Sequence, residues 1–378
     1  MMVEAARGAT GRSVELSCSR AVDLRYAKQP TGLRLTEGLS MKRMYRRVFG
    51  SLLMTSLGCA AHAADATPPQ RIPDSYAHAG SLVEVAPGRK LNLRCEGDGV
   101  PTVLLEAGSH ADTTTWFRLQ PLIATHYRVC SYDRAGYSFS DGGPLPRDLA
   151  ADVTDLHALI HKAGLKTPLV LVGHSLGTNI VRSYATHYAD DVSGLVLIDP
   201  PAQDVAAFAP AWAKEEDAMG EQRFAFLDQC KAAAEKGQLA SPAPALKNCV
   251  AGNNPMASAA VNASIAAYKL KPAFWQTLSS ELRNNVKVFA QPVAAGESLG
   301  TLPLIVLSAS GTYGDAPADV RPSLEKAKDK TQDAIAALST HGKRITINDA
   351  SHDIQLDQPE AVAKAVTEVV KQASAGHH

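Results

Sequence analysis

The 378-residue sequence has no long block of one charge sign. Lys plus Arg (38) equals Asp plus Glu (38), which removes the electrostatic footprint expected of a nucleic-acid binder. It also has no hydrophobic run that spans a bilayer; the apolar stretch at residues 48–58 is too short, so stable membrane insertion is not expected. Of six cysteines, the four beyond residue 63 (Cys95, Cys130, Cys230 and Cys249) form no CxxC pair and have no nearby histidine at metal spacing, so no metal site is expected. Internal repeats and low-complexity tracts are absent. What remains is ordinary globular composition, 45% hydrophobic and 20% charged, in a chain long enough to bury a full core. A small-molecule substrate is the partner class left.

The N-terminal region reads as an export signal. A basic stretch at residues 41–47 precedes the apolar run, and Ala61-His62-Ala63 supplies small residues for cleavage before Ala64. Residues 1–40 carry no clear pattern ahead of a complete signal, which suggests a start codon assigned too early. Cleavage would leave Cys95, Cys130, Cys230 and Cys249, an even number suited to a secreted or periplasmic compartment. Lipid attachment at Cys59 fits less well, because Ser56-Leu57-Gly58 is a poor lipoprotein signal.

The mature chain alternates short branched apolar segments with helical patterns, as a mostly parallel sheet covered by helices requires. Residues 82–85 and 91–95 flank Pro87-Gly88 as a hairpin, and further strands are expected at 102–106, 127–132, 169–172, 195–198, 304–307 and 344–347. Leu149, Val153, Leu156, Leu159 and Ile160 recur at helical spacing up to the stop at Gly164. Helices are also expected around 331–338 and from Pro359 to about Val370. Between 201 and 300 the pattern turns Ala-rich and helix-prone, with aromatic interruptions such as Phe208, Trp212 and Trp275, and reads as an insertion. The expected division is a core of 64–200 and 301–378 with a helical cap of 201–300.

The motif with the most chemistry is Gly173-His174-Ser175-Leu176-Gly177, set between the strand 168–172 and an amphipathic run at 180–188. In such a strand-turn-helix elbow the serine sits in a strained conformation, and the flanking glycines let strand and helix pass closely. A serine hydroxyl is a poor nucleophile near neutral pH and needs a base. His352 lies between the strand 345–347 and the last helix, where it would project from the same sheet edge as Ser175. His157, His161 and His187 fall inside helix patterns and read as surface or half-buried residues, and His174 as a packing residue beside the elbow. An acid must hold the imidazole's tautomer. Asp315, beyond the strand 304–307, satisfies the chain order serine, acid, histidine. Asp199, at the end of the strand 195–198, is the alternative, and Asp353 is a more distant one. Oxyanion donors are expected from the amide of Leu176 and from the loop Ala107-Gly108-Ser109-His110, with Ser109 favoured over His110.

These residues, with Asp133-Arg134-Ala135-Gly136-Tyr137-Ser138 and with Gln358-Pro359-Glu360 after His352, resemble the α/β-hydrolase superfamily over most of residues 80–373. The resemblance implies a mostly parallel eight-stranded sheet with helices on both faces and a helical cap insertion. Three features depart from the family pattern: Glu106-Ala107-Gly108 replaces a His-Gly loop, Thr178 follows the elbow where glycine is frequent, and no Asp comes directly after Leu307. Because the superfamily sets its second strand beside its fourth, the resemblance also implies disulfides Cys95–Cys130 and, within the cap, Cys230–Cys249. The expected activity is cofactor-free hydrolysis of a small-molecule carboxylic ester through an acyl-enzyme. The competing readings are amide, lactone or carbon-carbon hydrolysis or perhydrolysis on the same fold, and a binding protein without turnover.

Overall fold

The computed structural model describes residues 68–250 and 252–375; the expected upstream segment (1–40) and export signal (41–63) lie outside the described residues. Strands β1 (Ser81–Ala86), β2 (Arg89–Glu96), β3 (Val103–Glu106), β4 (Val129–Tyr132), β5 (Leu169–His174), β6 (Val192–Ile198), β7 (Leu304–Ala309) and β8 (Gly342–Ile347) form one sheet. Its order is β1-β2-β4-β3-β5-β6-β7-β8, antiparallel across β1, β2 and β4 and parallel from there on. The expected hairpin is present. Cys95 and Cys130 are direct cross-strand partners on β2 and β4 and form a disulfide, as the resemblance implied.

Helices α1 (Gln120–Ala124), α2 (Leu149–Lys162) and α3 (Leu176–His187) connect the first six strands. Helices α4 (Pro210–Glu235), α5 (Lys247–Val250), α6 (Ala259–Lys269) and α7 (Pro272–Phe289) lie between β6 and β7, and α8 (Arg321–Ala336), α9 (Ile354–Asp357) and α10 (Pro359–Ala375) complete the chain.

Strand periodicity divides the core in two. Leu104, Leu169, Leu171, Leu195, Leu197 and Val306 face α2 and α3, packing on Leu156, Leu159, Ile180 and Val181. The alternate residues Val103, Leu105, Val170, Val172, Val196 and Ile305 face α1 and α10, packing on Ile123, Val362, Val366 and Val369. Central strands buried on both faces explain why their sequences read as unbroken apolar runs. The helices of the insertion have their own core around Leu227, Cys230, Leu239, Cys249, Phe274, Trp275 and Leu278, stapled by the Cys230–Cys249 disulfide and joined to the sheet by Tyr137. Among the described residues no helix is long and apolar enough to cross a membrane.

One element differs from the sequence reading. The helix expected near 331–338 begins ten residues earlier, at Arg321, with Pro322 in its first turn. Its inner face contains buried Lys328, Thr331 and Gln332 beside Leu324 and Ile335, so an apolar pattern shows only part of it.

Candidate active site

The site is assembled at the carboxyl edge of the parallel strands, where β5, β6 and β8 deliver their loops. Ser175 stands between β5 and α3 with φ 52° and ψ −121°, in the region that L-residues rarely occupy. The bend holds because a Cβ at Gly173 would come within 2.6 Å of the Gly177 carbonyl oxygen, and one at Gly177 within 2.4 Å of that of Glu106. Only glycine lets β5, α3 and β3 approach so closely. Thr178, the departure from the family pattern, donates its hydroxyl to the Ser175 carbonyl at 2.6 Å and braces the first turn of α3. Ser175 remains partly exposed while its neighbours are buried.

Asp199 follows β6 directly and is fully buried. The Ser175 amide donates to the carbonyl of Ile198, next to it, at 3.0 Å. The Asp199 carboxylate receives His352 Nδ1 at 2.7 Å, the Thr312 hydroxyl at 2.6 Å, Gln332 Nε2 at 2.9 Å and the Ala309 amide at 3.1 Å, with Lys328 Nζ at 3.8 Å. The sequence favours Asp315 as the acid, whereas in the structure it is Asp199 that is hydrogen-bonded to His352. The turn from Gly311 to Gly314 carries Asp315 out to an exposed position, whereas Asp199 sits at the strand end itself. The buried polar face of α8 is thus explained: Lys328 and Gln332, one helical turn apart, reach the Asp199 carboxylate. Neither was singled out in the sequence, although two polar residues at i and i+4 on a helix's inward face are a readable signal.

Burial alone would push the Asp199 carboxyl up, but the His352 hydrogen bond and charge, with Lys328 and Thr312, outweigh it and hold it below the ordinary value. For His352 burial acts downward and the bonded Asp199 carboxylate upward; the net direction is up. His174, buried beside it with ring centroids 4.8 Å apart, places Nε2 3.0 Å from the His352 carbonyl oxygen. Its imidazole is lowered to about 4 by burial and by the neighbouring His352, so it stays neutral near the site. His174 packs there as the sequence reading expected.

The loop after β3 closes the other side. Arg134, only 3% exposed, binds the carboxylates of Glu106 (2.8 Å) and Glu281 of α7 (3.0 Å). It also donates to the carbonyls of Ala107 (2.7 Å) and Gly108 (2.8 Å). In a trans peptide the N–H points opposite to the C=O, so fastening the Gly108 carbonyl to Arg134 turns the Ser109 amide the other way. Gly108 packs on the elbow, and a Cβ there would lie 3.1 Å from the Ser175 Cβ. Leu176 opens α3, where backbone amides lack helical partners. His110, the alternative to Ser109 in the sequence, is exposed with φ 63°. Tyr132 donates to Glu106, and Tyr137 to Glu281 at 2.8 Å, so the departure at Glu106 belongs to a buried ionic network linking sheet and insertion. Among the described residues one group of three metal-capable side chains stands close together, His157, His161 and Asp191, at the opposite end of α3 from Ser175.

The sequence matches the family model of the alpha/beta hydrolase family over residues 103–365. Among curated proteins it is 33% identical over 113 residues to YqjL, an uncharacterized protein of Bacillus subtilis, covering 30% of this chain and 45% of that one. It is 34% identical over 103 residues to the candidate carbamate hydrolase RutD of Klebsiella pneumoniae, covering 27% and 38%. The matched stretches thus span less than half of these relatives. A haloalkane dehalogenase loop variant from Bradyrhizobium elkanii superposes with a TM-score of 0.54 at 20% identity, covering 79% of this chain and 99% of that one. An esterase from Thermogutta terrifontis gives 0.50 at 20% identity, covering 78% and 99%. At such identities the superpositions speak for the fold.

Proposed function

Because the chain belongs to the alpha/beta hydrolase family, we propose that it hydrolyses small-molecule carboxylic esters through an acyl-enzyme, with Ser175 as nucleophile, His352 as base and Asp199 as the acid. The observation that carries this reading is the 2.7 Å hydrogen bond of His352 to Asp199, whose chain neighbour Ile198 accepts from the amide of the strained Ser175. That bond puts the proton of a neutral imidazole on Nδ1 and leaves Nε2 free to accept one.

In the proposed cycle the Ser175 hydroxyl attacks the ester carbonyl as His352 takes its proton, and the oxyanion is held by the amides of Leu176 and Ser109. The intermediate collapses as His352 protonates the departing alkoxide. Water, deprotonated by His352, then attacks the acyl-serine, and the proton returns to Ser175 as the acid leaves. Asp199 offsets the imidazolium charge at each step. Arg134 acts through the loop it holds, without touching substrate. The aromatic and Ala-rich insertion favours a moderately apolar acyl or alcohol group. Export is part of the proposal, supported by the signal-like residues 41–63 and by two disulfides.

The test is to treat the protein with a fluorophosphonate, locate the adduct by peptide mass spectrometry, and assay nitrophenyl esters of graded chain length beside matching anilides. The adduct is expected on Ser175, with Ser175→Ala unlabelled and inactive. Absence of label at Ser175 would favour a binding protein, and inert esters beside reactive anilides would overturn the ester assignment.

A further inference from the structure

At the far end of α3 three side chains converge on one point. His157 and His161 lie one turn apart on α2, and Asp191 stands in the short turn between α3 and β6. Asp191 Oδ2 is 3.0 Å from His161 Nε2 and 3.6 Å from His157 Nδ1, and the ligand atoms of all three lie within 4.8 Å of one another. We propose that His157, His161 and Asp191 bind a divalent transition-metal ion of the zinc class, at a site separate from Ser175.

The distances suit that ion. Ligand bonds of about 2.0–2.2 Å in tetrahedral geometry separate ligand atoms by roughly 3.3 Å, and small side-chain rotations bring the three atoms to it. The donor set decides the class: two imidazoles and one carboxylate match zinc and its neighbours, whereas calcium and magnesium take mostly oxygen ligands. The ligands are also oriented by what surrounds them. The Tyr184 hydroxyl donates to Asp191 Oδ2 at 2.7 Å, and the His157 ring lies flat on Tyr188, with centroids 3.9 Å apart and planes 9° apart. Such supporting contacts keep ligands in place before the ion arrives. The three side chains open onto a surface depression of about 540 Å³ that His187 and Asp190 also line, which gives the ion a way in and leaves room for a further ligand.

Cysteine spacing in the sequence gives no sign of this site. In the sequence His157 and His161 read as surface or half-buried helix residues, because only the fold brings Asp191 against them. At 1.5 Å per residue, the twelve residues of α3 put this site about 18 Å from Ser175. A bound ion would clamp α2 to the junction of α3 and β6, the two elements that lead from Ser175 and to Asp199.

The experiment uses chelator-washed full-length protein titrated calorimetrically with ZnCl2, and separately with CoCl2 while visible absorption is recorded. Because His161 is exposed, His161→Ala should keep the fold, and Asp191→Asn provides a second variant. The proposal expects one zinc per wild-type chain at this site, roughly tenfold or more weaker binding in either variant, and cobalt absorption bands that both variants lose. Zinc should raise the melting temperature of the wild type alone. Equal zinc affinity and stoichiometry in wild type and both variants, or zinc displaced by equimolar calcium, would overturn it. Ester hydrolysis by chelator-washed His161→Ala is expected to equal that of the wild type, so the outcome is independent of the proposed catalytic reading.

Discussion

Asp199 and His352, 153 residues apart in the chain, meet through a 2.7 Å hydrogen bond in which a fully buried carboxylate faces a partly exposed imidazole. Three further donors converge on the same carboxylate, from Thr312, Gln332 and the Ala309 backbone. That number of partners for one buried acid is what the low-dielectric interior demands if the group is to stay ionised. Asp199→Asn keeps the shape but disturbs the imidazole's tautomer, and is expected to lower kcat on nitrophenyl esters by about 10³–10⁴-fold. Asp315→Asn should leave kcat unchanged. A large loss in Asp315→Asn with Asp199→Asn unaffected would return the acid to Asp315.

The same pair sets a pH dependence. His352 must be neutral to accept a proton, and its raised value means that kcat/KM should rise with pH through a point above 6.5. Stability follows the linkage in both directions. The raised His352 contributes stability below 6.5 and loses it as pH rises through the folded value; the lowered Asp199 contributes above 3.8 and loses it as pH falls through its own. The pair therefore stabilises most between 3.8 and 6.5, on the acid side of the activity rise. In Asp199→Asn the kinetic midpoint should move to lower pH; an unmoved midpoint would mean that another group controls the profile.

Gly108→Ala tests the loop that faces Ser175. Its Cβ would stand 2.9 Å from His174 Nδ1 and 3.1 Å from the Ser175 Cβ, so either the loop or the elbow must shift. A displacement near 1 Å at a positioned nucleophile is expected to reduce kcat by about 10²-fold, with the melting temperature little changed. Circular dichroism and kinetics on one preparation separate this outcome from misfolding.

Arg134→Met removes the cation that the Glu106 and Glu281 carboxylates share. Leaving them buried and unpaired should cost about 3–5 kcal/mol in urea unfolding. The freed carbonyls of Ala107 and Gly108 should also let the oxyanion loop drift, so kcat falls more than KM rises. Unchanged unfolding would show that water or a second cation reaches the pair.

Much of this was legible in one dimension. Periodicity in residues 149–163 and the unbroken apolar runs from 169 to 307 announced a parallel sheet under helices, and the glycines around Ser175 announced a sharp turn, because such signals depend on neighbours a few residues away. The acid was harder to read, since two aspartates satisfied chain order equally and their distances to His352 depend on how β6, β7 and β8 lie side by side.

The sequence by itself determined the elements and the elbow, since backbone propensity, alternation and glycine freedom act locally. Tertiary structure alone decided which carboxylate meets His352, that Arg134 joins β3 to α7, and that Asp191 closes on two histidines of α2. Each is a contact between residues distant in the chain, made when separate elements bury their faces together. The energy of a buried charge depends on everything packed around it, which no stretch of sequence contains.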